Sequence, residues 1–82
     1  MSTPTIQAHL SPEWKLPLVK NYQEDKLELA FLKDKNPQSH DLMIIAAETG
    51  LDIQEVKVWF EHRLAKWRQS QGLPANGSFV NA

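Results

Sequence analysis

Apolar residues recur at helical spacing in three segments of the chain. In chain order they are Leu27 and Phe31, then Leu42, Ile45 and Ala46, then Val56, Trp59 and Phe60. Spacings of three and four residues place side chains on one face of a helix, so each segment has one apolar side. The pattern predicts three helices, over about residues 22–33, 40–49 and 53–69.

Residues that commonly cap helices lie at the ends of these segments. Asn21 followed by Glu24 fits a capping box at the start of the first helix, and the same pattern recurs over residues 52–55. Ser39 is the expected N-cap of the second helix. Gly50 is its expected end, because glycine adopts the left-handed conformation without steric cost. The tight connection that follows makes the second and third helices a predicted helix-turn-helix.

The two flanks of the helical region differ from it in composition. Residues 1–18 contain three prolines and no apolar period, and we predict a disordered arm there. Residues 19–70 form the predicted domain, and residues 71–82 are predicted to be a flexible tail. A chain of 82 residues is long enough for one small domain. The expected fold is therefore an all-α three-helix bundle with an N-terminal arm and a C-terminal tail.

Residues 56–68 carry the most specific pattern in the chain. Their sequence is VKVWFEHRLAKWR, which resembles the third-helix signature of the homeodomain family, V-K-V-W-F-x-N-R-R-x-K-W-[KR]. The resemblance extends without gaps over about residues 12–67. It implies a three-helix fold with Trp59 and Phe60 in the core and a structural ion pair between Glu28 and Arg63. It also implies a third helix suited to the DNA major groove.

Several positions that would face DNA, according to this resemblance, carry residues that differ from the family pattern. The DNA-facing side chains by alignment are Val58, Glu61, His62 and Ala65. His62 replaces an invariant asparagine, whose paired donor and acceptor grip adenine; a neutral imidazole has its donor and acceptor on opposite sides of the ring. Glu61 adds a negative charge, and Leu64 replaces an arginine that anchors phosphate. Base-specific recognition is therefore expected to be weak.

Few basic residues remain to contact the phosphate backbone. The candidates are Lys57, Lys66 and Arg68, in a chain whose net charge is −1. The arm offers Lys15 and Lys20 but no arginine for a narrow minor groove. About three phosphate contacts would give a log–log salt slope of roughly −3. Binding of that kind is weak and non-specific at physiological salt.

Residues 45–51 and 63–74 look like a small, stand-alone and atypical member of the homeodomain family. That resemblance implies a co-regulator in development, nuclear and in part cytoplasmic, that binds transcription factors and co-repressor or deacetylase complexes in place of DNA. Leu64 and Trp67 are the candidate partner surface, since exposed apolar patches often mark protein contacts. The alternative is a DNA-binding homeodomain transcription factor of weak or altered specificity, which the three basic candidates favour.

The sequence carries no pattern for catalysis or cofactor binding. It contains no cysteine, and His9, His40 and His62 lack the spacing of metal ligands. There is no nucleophile–base pair and no phosphate-binding loop. No apolar run approaches the ~18 residues of a membrane span. We expect a monomeric, non-enzymatic protein without metal, cofactor or membrane association.

Overall fold

Three helices form the body of the molecule. The computed structural model describes residues 6–75 and the backbone of residues 77–78. The helices are α1 (Asn21–Lys33), α2 (Ser39–Thr49) and α3 (Ile53–Ser70), and a 3-10 turn (Glu13–Lys15) precedes α1. The predicted all-α three-helix bundle with a helix-turn-helix is confirmed, and each helix begins and ends within one residue of its predicted position.

The N-terminal caps of α1 and α2 differ from the predicted ones. The N-cap of α1 is Lys20, whose backbone N–H donates to Gln23 Oε1 at 2.8 Å, so the capping box predicted to begin at Asn21 is wrong by one residue. The N-cap of α2 is Gln38 and not Ser39. In both helices the third helical side chain accepts from the N-cap N–H, which draws one further residue into the helix.

The turn between α2 and α3 follows the prediction. Gly50 has φ of 79° and donates its N–H to the Ala46 carbonyl at 2.8 Å. This left-handed conformation ends α2 and favours glycine. At the start of α3, the Asp52 N–H donates to Glu55 Oε1 at 3.1 Å, as the predicted capping pattern requires.

An aromatic cluster lies where α3 crosses the other two helices. The ring centroids of Phe31, Trp59 and Phe60 are 5.3–6.4 Å apart, in tilted and edge-to-face arrangements that aromatic rings prefer. The apolar side chains buried around them are Leu27, Leu42, Ile45, Ala46 and Val56. The helical periodicity therefore placed the bundle core correctly.

The N-terminal arm and the C-terminal tail meet in a small antiparallel ribbon. Strand β1 (Gln7–Ala8) pairs with strand β2 (Gly77–Ser78). β1 lies against α3, and the Ile6 N–H donates to Asn36 Oδ1 at 3.3 Å in the connection between α1 and α2. The ribbon thus lies on α3 through β1, and Ile6 and Ala8 join the buried cluster that also contains the aromatic rings.

The segment predicted to be a disordered arm has a defined path where the structure describes it. Residues 6–11 lie on α3 and residues 12–18 lead back to α1. The tail also folds back, because Ala75 packs against the same buried cluster. Residues 1–5, 76 and 79–82, which belong to the predicted arm and tail, lie outside the described residues. The domain limits at 18/19 and 70/71 stay predictions.

Candidate interaction face on the third helix

The side of α3 that is predicted to face DNA is covered by other segments of the same chain. The name groove face is used below for the four predicted DNA-facing residues together with Leu64 at the phosphate-anchor position: Val58, Glu61, His62, Leu64 and Ala65. Leu64 and Ala65 are fully buried and the other three are partly buried. One helix packed on two others would leave this side open to solvent, so the cover must come from the flanks. It comes from the arm and the tail.

Apolar side chains of the arm supply the cover. Ile6 has no exposed surface and Ala8 is 3% exposed, and both belong to the same buried cluster as Leu64 and Ala65. Leu10 packs against that cluster while partly exposed. Full burial of one branched aliphatic side chain stabilises by about 1.5–3 kcal/mol. This apolar contact is the main reason why the arm lies on α3.

Backbone groups of the arm add two hydrogen bonds to the groove face. The His9 N–H donates to the Glu61 carbonyl at 3.0 Å. The Ser11 N–H donates to His62 Nδ1 at 3.0 Å, which requires a neutral imidazole with an unprotonated Nδ1. Burial of the ring, and secondarily the Lys66 ammonium, lowers the pKa of His62 below its ordinary 6.5. The side chain predicted to face DNA thus accepts a hydrogen bond from the arm.

The tail contacts Arg68, which is one of the three candidate phosphate-binding residues. Arg68 is 6% exposed, and its Nε donates to the Pro74 carbonyl at 2.8 Å. Its own carbonyl accepts from the Leu73 N–H at 2.9 Å. Lys57 is partly exposed and Lys66 is exposed. In this arrangement only two of the three predicted basic residues face solvent.

The predicted ion pair between α1 and α3 is present. Arg63 Nε donates to Glu28 Oε2 at 2.8 Å, with both side chains about one third exposed. The Arg63 guanidinium also lies 4.5 Å from the centroid of the Phe31 ring, a distance that suits a cation–π contact. Arg63 is therefore part of the bundle and is not turned towards a nucleic acid.

The two residues predicted to form a partner surface lie in different surroundings. Leu64 is fully buried beneath the arm and adds nothing to the solvent-facing surface in this arrangement. Trp67 is partly buried, and the Lys35 ammonium lies 5.4 Å from its ring centroid. The structure does not bring the two into one exposed patch.

The arm residues on the groove face were missed by the sequence analysis. Ile6, Ala8 and Leu10 alternate with Gln7 and His9, which is the period-two pattern of a strand with one buried side. Three alternating positions are too few to separate such a strand from irregular chain. The three prolines of the segment also favoured disorder.

Metal-ligand clusters and membrane-spanning helices are both absent from the described part of the chain. Over residues 6–75, no three His, Asp or Glu side chains come together as metal ligands would. None of the helices there is both long enough and apolar enough to cross a membrane.

A helix-turn-helix whose long third helix carries a buried Trp-Phe pair defines a class of small DNA-associated domains. The homeodomain family model matches residues 18–69 of this chain. The Homeodomain-only protein of Homo sapiens is 54% identical over 54 residues, which cover 65% of this chain and 74% of that protein. The protein of the same name from Danio rerio is 50% identical over 50 residues, covering 60% of this chain and 65% of that protein.

A larger protein matches the same region. The LIM/homeobox protein Lhx5 of Xenopus laevis is 35% identical over 60 residues, which cover 73% of this chain and 15% of that protein. The chain belongs to the homeodomain family, and the resemblance first noted at residues 56–68 is confirmed. Membership in this family carries a role in transcription regulation.

Proposed function

We propose that this chain is a non-enzymatic, atypical homeodomain that regulates transcription by binding other proteins, with little or no sequence-specific affinity for DNA. Its site of action is the nucleus, and the protein is a monomer. Its partners are transcription factors or co-repressor and deacetylase complexes, as the resemblance noted at residues 45–51 and 63–74 implies.

The observation that carries this proposal is the covered groove face. A helix that enters the major groove must present open side chains to base edges. Here Ile6 and Ala8 are buried over that face, and the Ser11 N–H of the arm donates a hydrogen bond to His62 Nδ1. DNA could bind only after the arm has left, and the free energy of arm docking would be subtracted from the affinity.

The chemistry of the covered residues supports the same conclusion. With the arm removed, the groove face would present the His62 imidazole and the Glu61 carboxylate, whereas a DNA-binding homeodomain presents a bidentate amide to the base. Leu64 offers no charge to phosphate. The chain has nine basic and ten acidic residues, so no general attraction to a polyanion compensates.

The alternative function is a DNA-binding homeodomain of weak or altered specificity. Lys66 is exposed and Lys57 is partly exposed on α3, so both could contact phosphate. The conserved geometry of the helix-turn-helix would present them to a duplex. Two such contacts would give a log–log salt slope of only about −2.

A titration with DNA separates the two functions. The labelled chain is titrated with a duplex carrying a homeodomain site and with a scrambled duplex, at low and at physiological salt, while amide chemical shifts are followed. We expect equal and weak shifts on both duplexes that disappear at physiological salt. A tight response to one duplex that survives physiological salt would overturn the proposal in favour of the alternative.

A graft of family-typical residues tests the reason for the lost affinity. The triple variant Glu61→Gln, His62→Asn, Leu64→Arg restores the adenine-binding amide and a phosphate anchor, and the buried arginine also displaces the arm. We expect sequence preference to rise by about 5- to 150-fold, because a bidentate base contact discriminates by ~1–3 kcal/mol.

The matched control for this graft replaces Leu64 by aspartate in the same triple background. It displaces the arm equally and keeps the adenine-binding amide but repels phosphate. We therefore expect the sequence preference to persist while the gain in overall DNA affinity is lost. If both triple variants bind DNA no better than the parent chain, the alignment of the groove face with DNA is wrong.

A further inference from the structure

The arm shows what kind of ligand the groove face accepts. Along the arm, Ile6 and Ala8 are buried while Gln7 and His9 are exposed. This alternation is that of an extended strand with one side against a surface. The occupant of the groove face is therefore an extended segment with aliphatic or small side chains at every second position.

The groove face meets this segment with complementary groups. Leu64 and Ala65 form an apolar floor that is fully buried in the presence of the arm. At the side of that floor, the Glu61 carbonyl and His62 Nδ1 accept main-chain N–H groups of the arm. Main-chain hydrogen bonds with pockets for alternate side chains are the usual means of binding an extended peptide.

The arm lies outside the part of the chain that matches the family. The family match begins at residue 18, beyond the six arm residues in contact with α3. The connecting segment contains Pro12 and Pro17 and exposes Trp14 and Leu18, so it adds little to the bundle core. Ile6 and Ala8 belong to the same buried cluster as Phe31, Trp59 and Phe60. The inference requires that they leave this cluster while the three helices stay folded, which is a local opening.

We propose that the groove face of α3 is a peptide-binding surface on which residues 6–11 act as a resident internal ligand. The external ligand is an extended segment of a partner protein with the pattern aliphatic-x-Ala-x-aliphatic-Ser and no charge at the inward positions. It binds α3 after displacing the arm. This inference rests on the proposed role as a protein-interaction module and assigns a surface and a ligand chemistry to it.

The internal ligand sets the affinity that a partner must have. A segment tethered by a short linker has an effective concentration in the millimolar range. A free peptide with the same contacts therefore competes poorly with the arm, whereas a partner with additional contacts succeeds. Weakening the arm should raise the apparent affinity for a peptide by the factor by which docking of the arm is reduced.

The first experiment tests whether the arm lies on α3 in solution. The chain has no cysteine, so Gln7→Cys creates a single site for a nitroxide label, at an exposed position. We expect strong paramagnetic broadening of amides around residues 61–65 in α3 and clearly weaker broadening around residues 22–29 in α1. Equal, weak broadening of both helices would show that the arm is not docked and would overturn the inference.

The second experiment offers the ligand in trans. The probe is an acetylated and amidated peptide of residues 6–11, added to the isotope-labelled full-length variant Ile6→Asp, whose own arm is weakened. We expect the α3 amide shifts of the variant to return towards those of the parent chain. Binding should be at least 10-fold tighter than to the parent chain.

The control peptide carries Ile6→Asp and Ala8→Asp and should cause no shift. If Ile6→Asp prevents folding, the parent chain is used with a nitroxide-labelled peptide at millimolar concentration, and broadening at residues 61–65 replaces the shift. Failure of the matched peptide to bind either chain would overturn the inference.

The two proposals fail in different experiments. Tight, salt-resistant binding to one duplex would refute the proposed function and leave a peptide result intact. A docked arm with no peptide binding in trans would refute the inference, and the protein-interaction role would then require another surface.

Discussion

The inner and outer sides of α3 differ in how closely their residues match the homeodomain pattern. The inner side keeps Val56, Trp59 and Phe60 in the core and joins Arg63 to Glu28 on α1. The outer side carries His62 where the family pattern has asparagine, and residues of the arm cover this side. In this chain the residues that pack the bundle keep the family pattern while several residues predicted to face DNA depart from it. The two sets lie largely on different faces of one helix, although Leu64 adjoins Phe60 in the same buried cluster.

The largest expected effect lies on the inner side. Phe60→Ala removes a fully buried ring from the aromatic cluster, and we expect it to lower the free energy of unfolding by ~3–5 kcal/mol. A small domain has only ~5–15 kcal/mol in total, so much of the variant should be unfolded at 37 °C. Urea denaturation followed by circular dichroism measures the loss.

The control for this variant is Leu18→Ala, which truncates a side chain that is 96% exposed. We expect a change within ~0.5 kcal/mol. A large loss from Leu18→Ala, or a negligible one from Phe60→Ala, would contradict the assignment of the core.

A smaller effect is expected on the outer side. Ile6→Ala removes an equally buried side chain, but the arm can undock locally. We expect the loss to be below the ~2–5 kcal/mol that this truncation costs in a core. Hydrogen exchange provides the measurement: the His9 amide should lose protection while the amides of Val56 and Phe60 keep theirs. Parallel loss at all three positions would mean that arm and bundle unfold as one unit.

The ion pair that joins α1 to the inner side should contribute less. Glu28→Gln removes a carboxylate that is about one third exposed, so we expect a loss of only ~0.2–1 kcal/mol. The loss should shrink at high salt, since screening weakens an exposed pair. Urea denaturation at two salt concentrations measures it, with the exposed Glu48→Gln in α2 as control. An equal, salt-independent loss in both variants would argue against the pair.

The smallest expected effect is a pH dependence of the arm. The pKa of His62 is lowered in the folded chain, chiefly by burial and then by Lys66, so the folded state binds the proton less readily than the unfolded state. Stability from this group is complete above pH 6.5 and falls as the pH decreases through the lowered pKa. Glu24 and Arg63 line the same recess as His62.

The corresponding measurement is the protection of the Ser11 amide between pH 7.5 and 5.5. We expect protection to fall with pH in the parent chain, because a protonated Nδ1 cannot accept the Ser11 N–H. His62→Gln supplies an acceptor that does not titrate and should flatten the profile. An unchanged slope in that variant would assign the pH dependence to another group.

Local sequence signals were sufficient for the three helices. The helical spacing of Leu27, Phe31, Val56 and Phe60 identified the core, and Gly50 identified the end of α2, because these signals depend on neighbours within a few residues. The N-caps of α1 and α2 were misplaced by one residue. Which of two adjacent residues caps a helix depends on side-chain geometry at its third position, and adjacent polar residues look alike in sequence.

The sequence by itself determined the bundle, its helix-turn-helix, and the presence of His62 and Leu64 where the family pattern has asparagine and arginine. Only the tertiary structure decided what lies over that face. Contacts such as Ser11 with His62 join residues far apart in the chain, and their formation depends on whether apolar burial exceeds the entropy of ordering the arm. The periodicity of neighbouring residues does not report this balance of free energies. The same leucine that sequence analysis assigned to an exposed partner surface is, for this reason, the buried floor beneath the arm.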